Sequence, residues 1–298
     1  MPDHSGFDED LPLLAAESFE LSKSLCRTCG QVHALWPYIR LARASTGVEP
    51  PSSYLQSLLT ALIADGRRRL LVAGAADTGL LALVTRVDAG RSADIVVLDR
   101  CETPLALCRR WAARVPHPIV TLHQDLRDLN EAQLFDLVLV HGTLHFIAAP
   151  ERPDVLARLR RSLAPGGRLV LLFNTSAPVV GDLARHGRDG YADWVLDELK
   201  RIGVTLPEPH DAFRTRLISH AQERENREGA FAVPEDVDAL LANAGFTLQK
   251  RVEVGTPTTG AVQQFLAKIR KRRFLIIAAP HAAPQSSSKS SMAPGSLP

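Results

Sequence analysis

The chain has 298 residues, of which 45% are hydrophobic and 23% charged, and 35 basic against 33 acidic residues leave a net charge of +2. This is the composition of an ordinary globular protein, and it excludes a disordered, collagen-like or small disulfide-stapled chain. The small net charge supplies no basic field for nucleic acid. Four cysteines in a chain of this length favour a reducing compartment, so we expect a cytoplasmic protein.

The N-terminal third is predicted to form a helical cap. Residues 1–20 are acidic and weakly periodic, which predicts a loose arm and argues against a basic leader peptide. Two or three helices are expected between Ser22 and Asp65, interrupted at Pro50-Pro51. No apolar stretch is long enough for a membrane span, because the longest, residues 70–85, contains Asp77. We assign residues 1–60 to the arm and cap.

The middle of the chain alternates between apolar runs and amphipathic stretches. The runs predict strands at Arg69–Gly74, Ala93–Asp99, Ile119–Leu122, Phe135–His141 and Arg168–Asn174. The stretches between them predict helices at Thr78–Val87, Pro104–Val115 and Pro153–Leu163. Continuous apolar strands that alternate with helices indicate a buried parallel sheet with helices on both faces.

The last third predicts a helix followed by two strands. The helix is Pro234–Ala244, and the strands are Phe246–Val254 and Phe274–Ala279. No clear crossover helix lies between the two strands, although residues 261–269 offer a short one, so an antiparallel pair is expected at the edge of the sheet. Residues 281–298 are rich in Ser, Pro and Ala and are predicted to be disordered.

The segment Gly74-Ala75-Ala76-Asp77-Thr78-Gly79 joins the first predicted strand to a helix. Small residues permit a tight turn, and the free N–H groups of the helix start can face a ligand. Asp99 ends the next strand, twenty residues beyond Gly79, where a carboxylate can accept hydrogen bonds from both ribose hydroxyls. The two features together predict a nucleoside site, and the alternative is a tight turn with a solvated strand-end acid.

Several motifs resemble those of class I S-adenosylmethionine-dependent methyltransferases over about residues 66–280. RRLLVAGAADTG is similar to the glycine-rich first motif, DIVVLDRCETPLALC to the ribose-binding strand, and HQDLRDL to the adenine-contacting segment. FDLVLVHGTLHFI and LRRSLAPGGRLVLLFN resemble the fourth-strand motif and the helix, turn and strand that follow it. The predicted fold class is therefore α/β: a Rossmann-like, doubly wound, mostly parallel seven-stranded sheet with an antiparallel edge pair and an N-terminal helical cap. The core would span residues 61–280, with an insert or lid at 175–232.

The resemblance implies S-adenosyl-L-methionine as the cofactor and a set of residues that hold it. That set is Gly74, Ala75, Ala76, Asp77, Gly79, Asp99, Arg100, Asp125, Leu126 and His141. The chain departs from the family at two positions, with Ala76 where glycine is common and Val72 where an acid is common. The methionine ammonium must then be held by other groups, such as backbone carbonyls or Asp77.

Two other functions remain open. Gly74-x-Ala76-x-x-Gly79 also satisfies the relaxed dinucleotide fingerprint, which would suit an NAD(P)-dependent oxidoreductase. None of Tyr38, Tyr54 and Tyr191 has a lysine four residues later, so short-chain dehydrogenase chemistry lacks its proton donor. The other alternative is a non-catalytic nucleoside-binding subunit.

Methyl transfer requires in-line placement of the acceptor, and a base only if the acceptor is protonated. His141 and His145 lie at the carboxyl end of the fourth predicted strand and are the candidate catalytic residues, each with a structural role as its alternative. The acceptor is predicted to be a small molecule, contacted by cap and insert residues Trp36, Tyr38, Tyr191, Trp194 and His220. We expect a monomer or homodimer with no membrane partner. A nucleic-acid partner is not favoured, although a protein or RNA acceptor is the next alternative within the same chemistry.

Cys26-x-x-Cys29-x-x-x-His33 supplies three of the four ligands of a zinc site, and no fourth lies near in sequence. Cys101 and Cys108 are seven residues apart and are predicted to pack on one face of a helix. No metal is therefore expected. The basic residues Lys268, Arg270, Lys271, Arg272 and Arg273 are predicted to form a solvated hairpin edge.

Overall fold

The computed structural model describes residues 10–27, 29, 32–43, 53–88, 93–175, 181–226, 231–254 and 272–281. The helices are α1 Leu11–Leu25, α2 Val32–Leu41, α3 Ser53–Ala64, α4 Gly79–Val87, α5 Glu102–Ala112, α6 Arg152–Ser162, α7 Gly181–Arg201, α8 His210–Asn226 and α9 Pro234–Asn243. The strands are β1 Arg69–Ala73, β2 Asp94–Asp99, β3 Ile119–His123, β4 Phe135–His141, β5 Leu163–Thr175, β6 Phe246–Glu253 and β7 Arg272–Pro280. No helix within these ranges is both long and apolar enough to cross a bilayer.

The described strands form one seven-stranded sheet in the order β3-β2-β1-β4-β5-β7-β6. Neighbours from β3 to β5 are parallel, whereas β7 runs antiparallel to both β5 and β6. The predicted mostly parallel sheet with an antiparallel pair at one edge is confirmed.

Apolar residues on both faces of the central strands explain why the sequence shows continuous hydrophobic runs. One core cluster contains side chains of α3, α4 and α5, including Leu59, Leu81 and Leu105. The cluster on the opposite face contains side chains of α6 and α9, including Leu156 and Leu241. The helices thus cover the sheet from both sides, as predicted.

Strand β5 differs most from its predicted bounds. It begins at Leu163, five residues before the predicted Arg168, because Leu163 pairs with Phe135 of β4 ahead of a shift in register. The turn residues Pro165-Gly166-Gly167 therefore lie within the strand. β4 has its predicted bounds, and β1, β2, β3 and β6 each differ from theirs by one residue at one end. β7 begins two residues before its predicted start and ends one residue after its predicted end.

The loose arm predicted over residues 1–20 is wrong from Leu11 onward, where α1 begins. Asp10 caps this helix by accepting a hydrogen bond from the N–H of Leu13 at 3.1 Å. The buried face of α1 includes Ser18 and Ser22, whose hydroxyls donate to the carbonyls of His33 and Phe19, each at 2.7 Å. Because two of its buried positions are serines, the helix shows little hydrophobic periodicity in the sequence.

The cap and the insert pack together as one unit, which we call the lid: α1, α2, α7 and α8. Their buried side chains form a third hydrophobic cluster, in which Tyr38 of α2 meets Phe213 of α8 edge-to-face at 5.1 Å between ring centroids. The division predicted at residue 60 falls inside α3, which packs against the sheet rather than in the lid.

Several predictions lie outside the described residues. They concern residues 1–9 of the arm, Pro50-Pro51, the short helix at 261–269, the basic residues 268–271 and the tail from 282 onward.

Candidate active site

The site is built where the order of the parallel strands reverses. β1 pairs with β2 on one side and β4 on the other, so the crevice at their carboxyl ends is the topological switch point of the sheet. Gly74 follows β1, whereas Asp99 and His141 end β2 and β4. The residues predicted from separate motifs therefore meet at one edge of the sheet.

Gly74 makes the tight turn that the first motif predicts. Its φ angle is +88°, which favours glycine, and its N–H donates to the carbonyl of Leu98 at 2.8 Å. A Cβ at this position would lie 2.3 Å from Oγ1 of Thr143. That hydroxyl in turn donates to the carbonyl of Ala73 at 2.9 Å, so it closes the turn from the β4 side.

Asp99 holds two backbone segments beside the crevice. Its Oδ2 accepts the N–H of Ala75 at 2.8 Å, and its Oδ1 accepts the N–H of Cys101 at 2.7 Å. Each carboxylate oxygen has two lone-pair sites, so each keeps one for a ligand. Burial raises the pKa of Asp99, although the hydrogen bonds from the two N–H groups oppose that shift.

Asp77 lies in the same loop but is paired with the lid. Its Oδ2 is 2.6 Å from Nη1 of Arg40, and its Oδ1 accepts the N–H of Gly79 at 2.8 Å. Arg40 comes from α2, and both side chains are buried. Both oxygens of Asp77 are therefore engaged by the protein. Val72, where the family commonly has an acid, is 1% exposed within the sheet core.

The predicted adenine segment follows β3. Asp125 caps a short 3-10 helix at Leu126–Asp128, and Leu126 is buried in the core. Both carboxylate oxygens of Asp125 accept from the guanidinium of Arg127, at 3.0 and 2.8 Å, and this contact holds the pKa of Asp125 below its usual value. Arg100 is exposed next to Asp99.

His141 has a cationic neighbour. Nη2 of Arg273 lies 2.8 Å from Nε2 of His141, so the imidazole accepts this hydrogen bond. Burial and the positive charges of Arg273 and Arg40 lower the pKa of His141 to about 3. The ring is therefore neutral at physiological pH, and its Nε2 lone pair is occupied.

His145 lies beyond β4 and accepts the backbone N–H of Asn174 through Nε2 at 3.1 Å. Its ring meets Phe231 edge-to-face at 5.3 Å between centroids. Phe231 also contacts Phe173, and the guanidinium of Arg152 lies 4.5 Å from its ring centroid. His145 is thus fixed in place, with Nε2 as an acceptor.

The predicted acceptor-binding residues all lie in the lid. Trp36, Tyr191 and Trp194 are half-buried, whereas Tyr38 and His220 are 1% and 3% exposed. The Tyr38 ring belongs to the hydrophobic cluster of the lid, and burial raises the pKa of its hydroxyl to about 12. Tyr38 therefore has a packing role, and acceptor contact by these five residues stays a prediction.

The prediction that Cys101 only packs on a helix face is wrong. Cys101 is the N-cap of α5, and its Sγ lies 3.6 Å from that of Cys26 and 3.8 Å from that of Cys29. With His33 these residues form one cluster of ligand atoms, all within 4.8 Å of one another. The fourth candidate ligand, which the sequence near His33 lacks, lies 68 residues after His33. Cys108, by contrast, is buried in the core as predicted.

Sequence reasoning missed three side chains of the site: Arg40, Arg273 and Phe231. Arg273 was assigned to a solvated edge, but it is 4% exposed. The alternation of β7 offered a signal, because Arg272 and Arg273 are adjacent in a strand and must point to opposite faces. For Arg40 the sequence carried no pattern, since its role depends on the packing of the lid. Phe231 lies outside every predicted strand and reaches the site through a lone bridge to Thr175 and packing in the sheet core.

Comparison with known proteins points to the same part of the chain as the candidate site. Residues 74–167 match a family model described as a methyltransferase domain. A carboxy-S-adenosyl-L-methionine synthase of Shewanella loihica is 32% identical over 84 residues, which are 28% of this chain and 34% of that enzyme. The enzyme of the same name from Salmonella paratyphi C is 26% identical over 135 residues, 41% of this chain and 54% of its own length. The chain thus spans between a third and about half of these relatives.

Among solved structures, a geranyl diphosphate methyltransferase in complex with SAM has a TM-score of 0.50 at 13% identity. The alignment covers 93% of this chain and 95% of that one. At this identity the likeness shows the fold, and it agrees with the Rossmann-like sheet described above.

Proposed function

We propose that this chain, whose residues 74–167 match a methyltransferase domain, is a class I S-adenosylmethionine-dependent methyltransferase that transfers the methyl group of S-adenosyl-L-methionine to a small-molecule acceptor. The observation that carries the proposal is the pair of hydrogen bonds by which Asp99 holds Ala75 and Cys101 while keeping one lone-pair site on each oxygen. That carboxylate lies at the switch point of the sheet and suits the two hydroxyls of a ribose.

The residues present fit this cofactor. We assign the ribose to Asp99, with Arg100 beside it, and the adenine to Asp125 and Leu126. The turn Gly74-Ala75-Ala76-Asp77, with Gly79 starting α4, lies against the amino-acid part. Bound there, the cofactor supplies an already activated methyl group, so the protein has only to orient the acceptor and exclude water.

Arg40 is our candidate for the methionine carboxylate. It is a buried cation on the lid and reaches the glycine-rich turn through Asp77 at 2.6 Å. A guanidinium is planar and matches the geometry of a carboxylate, which is why we assign the methionine carboxylate to Arg40. The methionine ammonium is assigned to backbone carbonyls of the turn or to Asp77, whose carboxylate oxygens have acceptor sites beyond those used by Arg40 and the N–H of Gly79.

We assign the two histidines a structural role first, and proton transfer only second. His141 is neutral, with Nε2 accepting from Arg273, and His145 accepts from Asn174. This arrangement favours an acceptor atom that already carries a free lone pair at neutral pH, which needs no base. Should the acceptor be a hydroxyl, His145 is the proposed base, and it would first have to release the Asn174 N–H.

The acceptor is proposed to lie between the lid and the carboxyl edge of the sheet. Trp36, Tyr191 and Trp194 are half-buried in the lid and offer aromatic surface to a small molecule. We propose a cytoplasmic monomer or homodimer, since none of the four cysteines forms a disulfide, which suits a reducing compartment.

The decisive experiment identifies the ligand and the reaction separately. We expect mass spectrometry of the freshly purified protein to detect S-adenosylmethionine or S-adenosylhomocysteine, and calorimetry to show S-adenosylhomocysteine binding. Transfer of a labelled methyl group from S-adenosylmethionine to a small-molecule extract would then show catalysis. Recovery of a nicotinamide dinucleotide would instead favour the oxidoreductase. Binding of S-adenosylhomocysteine with no transfer to any extract would favour a non-catalytic subunit.

The role of Arg40 is tested by two ligands that differ only at the amino-acid end. Arg40→Gln is expected to weaken binding of S-adenosylhomocysteine by about tenfold or more, because a charge-assisted hydrogen bond contributes about 1.5–3 kcal/mol. Binding of 5′-methylthioadenosine, which has no carboxylate, should change little. An equal loss for both ligands would mean that Arg40 acts only through the shape of the turn.

A further inference from the structure

The junction between the lid and the sheet holds a cluster of sulfur and nitrogen atoms. Cys26 is the C-cap of α1, Cys29 lies between α1 and α2, and His33 is in the first turn of α2. Cys101 comes from the other side of the junction, where it is the N-cap of α5 in the loop after β2. Nδ1 of His33 is 3.4 Å from Sγ of both Cys26 and Cys29, and Sγ of Cys101 is 3.6 and 3.8 Å from the same two sulfurs.

These separations match the edges of a zinc coordination tetrahedron. With Zn–S near 2.3 Å and Zn–N near 2.0–2.1 Å, a tetrahedral site has S–S edges of about 3.8 Å and S–N edges of about 3.5 Å. We propose that Cys26, Cys29, His33 and Cys101 bind one structural zinc ion that fastens the lid to the carboxyl edge of the sheet. The inference stands apart from methyl transfer, because it depends on no residue assigned to that reaction.

The chemistry of the four ligands favours zinc. Three thiolates and one imidazole form one of the ligand sets found in closed structural zinc sites, whereas Mg²⁺ and Ca²⁺ take oxygen ligands. All four positions are filled by protein, so the site leaves no open position for a reacting water. His33 and Cys101 are each 5% exposed, and Oγ1 of Thr103 lies 3.2 Å from Sγ of Cys26, where it can support the thiolate.

A disulfide is the main alternative for neighbouring cysteines, and the distances oppose it. A disulfide has its sulfurs about 2.05 Å apart, well below the 3.6 Å between Cys26 and Cys101. A disulfide would also use only two of the three cysteines, and it would give the third cysteine and Nδ1 of His33 no shared partner. A metal ion gives all four groups one partner.

The position of the site connects it to the lid. Cys101 is the residue whose N–H is bonded to Asp99, and Cys26 to His33 span the connection from α1 to α2. A zinc ion here ties that connection to the loop after β2, a link between residues far apart in the chain. Removing it should loosen α1 and α2, because one cross-link between distant residues then disappears.

The first measurement is the metal content of the wild-type protein, purified without chelator or added metal and analysed by inductively coupled plasma mass spectrometry. We expect about one zinc per chain, because tight structural sites retain their metal through purification. Cys101→Ser should lower this value several-fold. Cys108→Ala is the matched control, since it removes a buried cysteine outside the cluster and should keep the zinc.

A second measurement on the wild-type protein guards against variants that fail to fold. Titration with a mercurial reagent should release zinc in step with the loss of three thiols. Cobalt(II) exchanged into the site should give the intense visible absorption of tetrahedral thiolate coordination. Folded wild-type protein with almost no zinc, or with iron in its place, would overturn the proposal. So would full zinc retention in folded Cys101→Ser and His33→Ala.

Discussion

Asp99→Ala is expected to act on stability as well as on cofactor binding, because the carboxylate holds the backbone on both sides of the crevice. The N–H groups of Ala75 and Cys101 donate to it at 2.8 and 2.7 Å. An unsatisfied buried donor destabilises by about 1–3 kcal/mol, so the free energy of unfolding should fall by about 2 kcal/mol or more. The sequence, which shows only a strand-end acid, gives no sign of this effect.

The loss of ligand affinity adds to the loss of stability. Two charge-assisted hydrogen bonds to ribose contribute about 1.5–3 kcal/mol each, so Asp99→Ala should weaken S-adenosylhomocysteine binding by about 10²-fold or more. Asp99→Asn keeps one acceptor oxygen and should fall between wild type and alanine. Calorimetric titration measures the affinity, and urea denaturation measures the stability of each protein.

Asp136 provides the matched control for this experiment. Its Oδ2 accepts the N–H groups of Arg68 and Arg69 at 3.0 and 2.9 Å. Asp136 lies at the amino end of β4, whereas the site lies at the carboxyl ends of the strands. Asp136→Ala should therefore lower stability and leave S-adenosylhomocysteine affinity unchanged. If folded Asp99→Ala binds within about threefold of wild type, Asp99 does not hold the ribose, and the site assignment fails.

Three further predictions test other parts of the structure. Gly74→Ala places a Cβ 2.3 Å from Oγ1 of Thr143 at a φ of +88°, so it should lower the free energy of unfolding by about 2–4 kcal/mol. Gly66→Ala has a φ of +92° but open space around the Cβ, so it should lower the free energy of unfolding by about 1–2 kcal/mol. Equal losses for the two variants in urea denaturation would contradict the steric argument. His141 has a pKa of about 3 against an ordinary 6.5, so its contribution to stability is complete above pH 6.5 and declines as the pH falls toward 3. His141→Gln should flatten that decline by up to about 1.4 kcal/mol per pH unit, and an unchanged pH profile would show that the ring is not buried as a neutral group. Arg40→Met should lower unfolding free energy by about 3–5 kcal/mol by leaving Asp77 buried without its cation, and a smaller loss for the Arg40→Met/Asp77→Asn double variant would confirm that origin.

The sheet was predictable because its strands are buried on both faces. Leu70, Leu71, Val72 and Ala73 are each at most 1% exposed, and such a run stands out in any sequence. α1 was not predictable on the same grounds, since two of its buried positions are serines that bond to carbonyls. Hydrophobic periodicity detects only helices whose buried side is apolar.

Residues assigned to the cofactor were predictable where they lie at the carboxyl end of a strand or directly after it. Gly74, Asp99 and His141 come to one edge because parallel strands all end there. Arg273 was misassigned because a run of basic residues looks solvated until strand alternation is applied to it. Cys101 was missed because the fold, and not the spacing, brings it to Cys26 and Cys29.

The antiparallel strand β7 determines the order in which the sheet can be completed during synthesis. β6 leaves the ribosome before β7, yet it pairs with β7 and not with β5. Until β7 has been made, β5 exposes an unpaired edge and β6 has no neighbour in the sheet, and such edges are sites of aggregation. A nascent chain stopped just after β6 should therefore need a chaperone, whereas one that extends past β7 can complete the sheet in a single step.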